Sequence, residues 1–287
     1  MFLSPGYAGI TDFYEFNMLG RYQWLGYEGS FDGGGAPRTG LFSASLPVRA
    51  LKGGLGVVVT TDHLASTGIT TAQLSYAYHV AIGEGKLGIG VQGSMANIRK
   101  GSYRANEPTD PRVPYNSSDS KFDMGAGVWY QSDNLQAGLG VTNLLGSVYQ
   151  FENIRRSDTL GSVTGARHLF LTGAYNLPVS DMLVVTPTAI YKHDLQSNEI
   201  SFEVGGRATY NEKIYAGVGY RHMEAVTGMA GIYMMQDNAL RFGYALDLTT
   251  FNPDAKSLTS HEVMLSYRFP QSPYATRPPI RTPRYNF

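Results

Sequence analysis

A period of two runs through almost the whole chain, and helical periodicity is nearly absent. Residues 198–210 (NEISFEVGGRATY) show it. Ile200, Phe202, Val204, Gly206, Ala208 and Tyr210 form one alternate set; Ser201, Glu203, Gly205, Arg207 and Thr209 form the other. Successive side chains of a strand point to opposite faces, so this strand is apolar on one face and charged on the other. The split recurs at Ile214, Ala216, Val218 and Tyr220 against Tyr215, Gly217, Gly219 and Arg221, and at Leu240, Phe242, Tyr244 and Leu246 against Arg241, Gly243, Ala245 and Asp247. At the end of the pattern, Val263, Leu265, Tyr267 and Phe269 oppose Glu262, Met264, Ser266 and Arg268. A bilayer takes the first face and a polar lumen the second. Because lipid cannot hydrogen-bond a free backbone, such strands must close on themselves.

Alternating segments fall at 13–22, 39–48, 55–61, 71–82, 86–95, 121–131, 135–144, 166–176, 182–193, 198–210, 213–222, 229–235, 240–249 and 261–269. That predicts an all-β fold, a transmembrane antiparallel β-barrel of about 14 strands of outer-membrane type. Longer or more polar links follow odd strands (24–38, 102–120, 147–165, 251–260), and tight turns follow even ones (49–53, 83–85, 132–134, 177–181, 211–212, 236–238). Long loops at one end and short turns at the other place the turns and both termini in the periplasm. A soluble sandwich, barrel or propeller also alternates. Against it stand tyrosines clustered near strand ends, glycines on the polar face, and no repeat of propeller length.

The domain reading is a barrel over 1–269 and a Pro/Arg-rich periplasmic tail over 270–287, extended or disordered, beginning where alternation stops. Residues 1–11 (MFLSPGYAGIT) have neither a basic start nor a sustained apolar core, so a signal peptide is expected to be absent from an otherwise envelope-type sequence. Lys plus Arg equals Asp plus Glu at 23 each, which argues against a nucleic-acid partner. With no cysteine, disulfides, thiolate metal sites and cysteine nucleophiles are excluded.

Site motifs are few. Gly88, Gly90 and Gly93 fit a dinucleotide pattern but lie inside a strand with no helix after them. The six histidines lack metal-ligand spacing, Asp62-His63 lacks a nucleophile elbow, and Asn116-Ser117-Ser118 reads as turn chemistry rather than a glycosylation acceptor. No enzyme, metal or cofactor is expected. The informative set is the lumenal charges Glu15, Arg21, Glu203, Arg207, Arg221, Arg241, Asp247, Glu262 and Arg268. They read either as a network that rigidifies the interior or as a selectivity lining or docking surface.

Several runs in order resemble a known family: LSPGYAG at 3–9, Arg21-Tyr22-Gln23-Trp24, Ala36-Pro37-Arg38-Thr39, GLGVVV at 54–59, KLGIGV at 86–91, FDMGAG at 122–127, GVGYR at 217–221 and HEVML at 261–265. Together they are similar to the PorP/SprF family of type IX secretion membrane proteins, over nearly the whole chain. Pro5-Gly6 stands where the family commonly has Pro-Ala, and the family's first mature residues are missing; neither departure is expected to touch the barrel. The resemblance implies an outer-membrane barrel of Bacteroidota-type bacteria that serves type IX secretion and gliding motility. Implied partners are the C-terminal domain of a secreted adhesin, an OmpA-like peptidoglycan-binding periplasmic lipoprotein, other secretion components and outer-membrane lipid. Expected adhesin contacts on the extracellular loops are Trp24, Tyr27, Phe31, Tyr103, Tyr115, Tyr149 and Phe151, and expected partner contacts on the tail are Tyr274, Arg277, Arg281, Arg284 and Tyr285. The rival reading is a channel or porin for small solutes; an outer-membrane hydrolase is the third.

Overall fold

A computed structural model describes residues 1–11, 13–27, 35–101, 117–151, 161–251 and 257–269. The strands are β1 (Tyr14–Tyr22), β2 (Arg38–Val48), β3 (Gly53–Leu64), β4 (Thr67–Ile82), β5 (Gly85–Lys100), β6 (Ser117–Gln131), β7 (Leu135–Thr142), β8 (Val148–Phe151), β9 (Gly161–Thr164), β10 (His168–Tyr175), β11 (Leu177–Ser180), β12 (Leu183–Asp194), β13 (Ile200–Tyr210), β14 (Ile214–Arg221), β15 (Ala225–Met234), β16 (Leu240–Thr249) and β17 (Thr259–Phe269). Consecutive wall strands pair antiparallel, β10 pairs with both β7 and β12, and β1 pairs with β17, so the sheet closes into a 14-strand barrel. In that count β10 and β11 make one stave, interrupted at Asn176. The Asn176 amide donates to Asn134 O, and its side chain donates to Asp133 O at 3.0 Å and accepts from Thr186 Oγ1 at 2.9 Å.

Each predicted segment lies on a wall strand, and the face assignment follows the pairing. Arg21 stands directly opposite Glu262, Glu203 opposite Arg221, and Glu15 opposite Arg268. Period two fixes the rest of each strand once one pair is fixed. Ile200, Phe202, Val204, Val218 and Leu265 are exposed on the outer face, as lipid contacts must be in the isolated chain. Tyr14, Tyr78, Tyr130, Tyr175, Tyr210 and Tyr267 share that outer face near the short-turn end, the position of an interfacial aromatic girdle.

Three features differ from the sequence reading. Strands β4, β5 and β6 run further at the long-loop end, where the inner face carries Ile69, Ala96 and Ile98 and the outer face is polar, the reverse of the split that marks the bilayer. The expected turn at 177–181 is mostly strand β11, and the reversal falls at Asp181-Met182. Link length alternates only in part, since the β3–β4 link is just Ala65-Ser66.

Candidate functional site: an occupied lumen

The first residues do not form wall. They turn into the barrel and lie against the inner faces of β3 to β7. Ser4 caps a single 3-10 turn (Pro5–Tyr7) with its hydroxyl, which accepts from Gly6 N. Ala8 is 0% and Ile10 2% exposed. Four side-chain hydrogen bonds tie the segment down. Ser4 Oγ donates to Val128 O at 3.1 Å, Ser45 Oγ accepts from Gly9 N at 2.8 Å, His79 Nε2 donates to Ala8 O at 2.9 Å, and Tyr7 OH donates to Glu15 Oε2 at 2.8 Å. The Tyr7 ring meets Trp129 edge-on at 5.1 Å. Such a segment needs somewhere to lie, and wall glycines provide it. A Cβ at Gly90 would sit 2.5 Å from Gly6 N and 2.6 Å from Pro5 O; one at Gly54, Gly56, Gly88, Gly127 or Gly140 would also strike the segment. The Gly88/Gly90 pattern is therefore a seat for backbone, not a phosphate loop.

Neither departure from the family pattern was expected to touch the barrel. The structure overturns this for Pro5-Gly6: a methyl on Gly6 would fall 2.6 Å from Gly88 O and from Trp129 N, both wall backbone.

The opposite wall carries the charges. Arg21 of β1 reaches Asp247 at 2.8 Å, Glu262 at 3.5 Å and Glu224 at 3.9 Å. Arg221 of β14 holds Glu203 and Glu224, each at 2.9 Å, and approaches Asp247 at 3.8 Å. Thr227 donates to Asp247 at 2.7 Å. The network is built from cross-strand neighbours. Glu224 was missed because it lies in the β14–β15 link, outside any alternating pattern; its position three residues after Arg221 was the available signal. Nearer the short-turn end Arg268 pairs with Glu15, which also holds Tyr7. Arg207 and Arg241 share this lumenal face but meet no carboxylate among the described residues.

At the long-loop end, β8 and β9 form a small hairpin that folds over the inner face. Tyr149 (6% exposed) and Phe151 (2%) pack on Ile98, Ile69 and Ala96. The wall carboxylates Asp123 and Asp119 hold it: Asp123 accepts from Leu145 N at 3.0 Å and Ser147 N at 3.2 Å, and Asp119 from Gln150 N at 2.7 Å. Tyr149 and Phe151 are thus turned inward rather than displayed for a partner. Trp24 and Tyr27 meet edge to face, ring centres 5.9 Å apart, beside the start of β17, with Tyr27 exposed. Phe31, Tyr103 and Tyr115, and the tail residues Tyr274, Arg277, Arg281, Arg284 and Tyr285, lie outside the described residues. Among the described residues no three His, Asp or Glu side chains gather as a metal site.

The family model described as type IX secretion system membrane protein PorP/SprF matches residues 1–267. No curated protein matches the chain. Similar solved structures include the outer membrane protein Omp33 of Acinetobacter baumannii (10% identity, TM-score 0.46, 90% of this chain and 99% of that one). Another is the toluene transporter TodX of Pseudomonas putida (10%, 0.47, 89% and 88%). A mutant Rh. blastica porin is similar at 8% identity and TM-score 0.37, covering 90% of this chain and 99% of that one. At these identities the likeness concerns the fold alone.

Proposed function

We propose, starting from the fact that this chain belongs to the PorP/SprF family of type IX secretion system membrane proteins, that it is a docking barrel rather than a solute pore. Family and fold place it in the outer membrane, in a secretion-system class and not an enzyme class, with other type IX components as partners. The finer reading is ours. The long-loop end faces outside and holds the C-terminal domain of a secreted adhesin, with Tyr27 as an exposed aromatic and the half-buried Trp24 packed against it. The short turns and both termini face the periplasm, where they meet an OmpA-like peptidoglycan-binding lipoprotein and the machinery that drives secretion and gliding.

One observation carries this reading: the chain narrows its own lumen with parts of itself. Its first residues lie along one wall, a loop hairpin folds inward above them, and the ion-pair network stiffens the other wall. A segment held along one wall narrows any path through the barrel. A docking protein gains two rigid ends from it. Tagged protein drawn from native membranes in mild detergent is expected to bring down an adhesin or a secretion partner; recovery of neither counts against docking. The channel reading draws on the water-accessible space left at the short-turn mouth, and conductance separates it from docking.

A further inference from the structure

We propose that the short-turn mouth of the lumen binds a small oxyanion, a carboxylate or a phosphate, between Arg207 and Arg241. This goes beyond docking and stands or falls separately from it.

A cavity of about 670 Å³ opens there, bounded on one side by Tyr7, Ile10 and Thr11 of the inserted segment. Three arginines share the far wall: Arg207 on β13, Arg241 on β16 and Arg268 on β17. Register sets Arg241 opposite Ser266, two residues from Arg268, whereas the paired row through Arg207 runs by Gly217 and Met229 to Ala245, four residues from Arg241. Arg268 is already matched by Glu15. The other two are not. The Arg207 guanidinium lies over the Tyr215 ring, 5.4 Å from its centre. Arg241 Nη2 reaches only the Met264 sulfur, at 3.1 Å, which is a weak acceptor. The Nε of both arginines is shut off from solvent and has no hydrogen-bond partner among the described residues.

Tyr215 joins the two. Its hydroxyl end crosses Gly231 and Gly243, where a Cβ would collide with it, and Gly243 is the next lumenal residue after Arg241. The tyrosine thus spans from one arginine toward the other. A buried donor left unsatisfied costs about 1–3 kcal/mol, more when charged. Both side chains line the cavity without a carboxylate partner among the described residues; each Nε is closed to solvent, so an anion in the cavity is met through the guanidinium Nη groups. The guanidinium fork matches a carboxylate or phosphate with two parallel bonds. The remaining charged groups on the cavity, Glu84, Lys86 and Asp133, come from the turns opposite; Asn17, Gln136, Asn176 and Ser266 supply neutral polar contacts. The volume suits a small molecule or the end of a chain.

The test uses the full chain in lipid nanodiscs with methyl phosphate and N-acetylglycinate as probes, titrated calorimetrically at constant ionic strength. At least one probe is expected to bind saturably, and the tighter one names the source of the oxyanion. Arg207→Gln with Arg241→Gln is expected to weaken that binding at least ten-fold, while Arg49→Gln, outside the cavity, leaves it unchanged. Should the double glutamine variant fail to fold, Arg207→Lys with Arg241→Lys keeps the charge but loses the fork and is expected to bind several-fold more weakly. Absence of saturable binding by both probes, or equal binding by the variants, overturns the site.

Discussion

Adding one methyl group at Gly90 tests whether the inserted segment is seated as described. The new Cβ would lie 2.5 Å from Gly6 N and 2.6 Å from Pro5 O, whereas ordinary contact begins at 3.4 Å. Both neighbours are backbone, and Gly6 is itself wedged against Gly88 and Trp129, so neither a rotamer change nor a small tilt relieves the clash. Overpacking of this kind costs about 1–3 kcal/mol. The wall is continuous hydrogen-bonded sheet, so the strain falls on the segment. A shift of about 2 kcal/mol raises the unseated population roughly 30-fold. Hydrogen exchange reads this directly, because the amides of Gly6, Tyr7, Ala8, Gly9 and Ile10 are all hydrogen-bonded when seated. In nanodiscs, Gly90→Ala is expected to speed exchange across residues 6–10 by about 30-fold while β12 to β16 keep their protection. Gly206→Ala is the control, since its Cβ meets nothing within 4 Å. Exchange of residues 6–10 at the wild-type rate in a folded Gly90→Ala barrel would refute the seating argument.

Arg21→Ala removes the cation shared by Asp247, Glu262 and Glu224. Breaking a dry buried pair costs about 3–5 kcal/mol, and partial hydration here lowers the expected loss to about 2–3 kcal/mol, read by urea unfolding in lipid vesicles. Asp123→Ala strips the acceptor from Leu145 N and Ser147 N; it is expected to loosen the β8–β9 hairpin by about 1–3 kcal/mol, seen as faster proteolysis within 143–151 in an intact barrel. Val218 is 67% exposed on the outer face. Val218→Arg is expected to cost about 2–4 kcal/mol in folding into vesicles if that face meets the bilayer midplane, whereas Gly206→Ala on the same face is expected to cost far less.

The wall was legible because its logic is local. A strand between lipid and a polar lumen must alternate, and alternation in NEISFEVGGRATY needs no knowledge of the rest of the chain. The same alternation put the charged residues on one face of each strand, and register brings Arg21 to Glu262 and Arg221 to Glu203. The inserted segment was not legible, because MFLSPGYAGIT has no period of its own and is held by residues far along the chain. The signal existed in another place. Lumenal positions on β3, β5, β6 and β7 are glycine at Gly54, Gly56, Gly88, Gly90, Gly127 and Gly140; the far wall has lumenal glycines too, but Gly231 and Gly243 there lie under Tyr215 rather than under the segment. Glycines on both sides of a lumen mark where something lies over the wall, here backbone on one side and a tyrosine ring on the other. Tyr149 and Phe151 were read as displayed because loops face solvent, yet their two-residue spacing already matched one face of a strand.

Planar-bilayer recording of the purified wild-type barrel tests most directly whether this lumen is a filled scaffold for docking. A filled lumen is expected to give an intact membrane-inserted barrel with no steady conductance under applied voltage. A steady, ion-selective current that changes on Arg207→Ala or Arg241→Ala would contradict the docking reading and establish a channel.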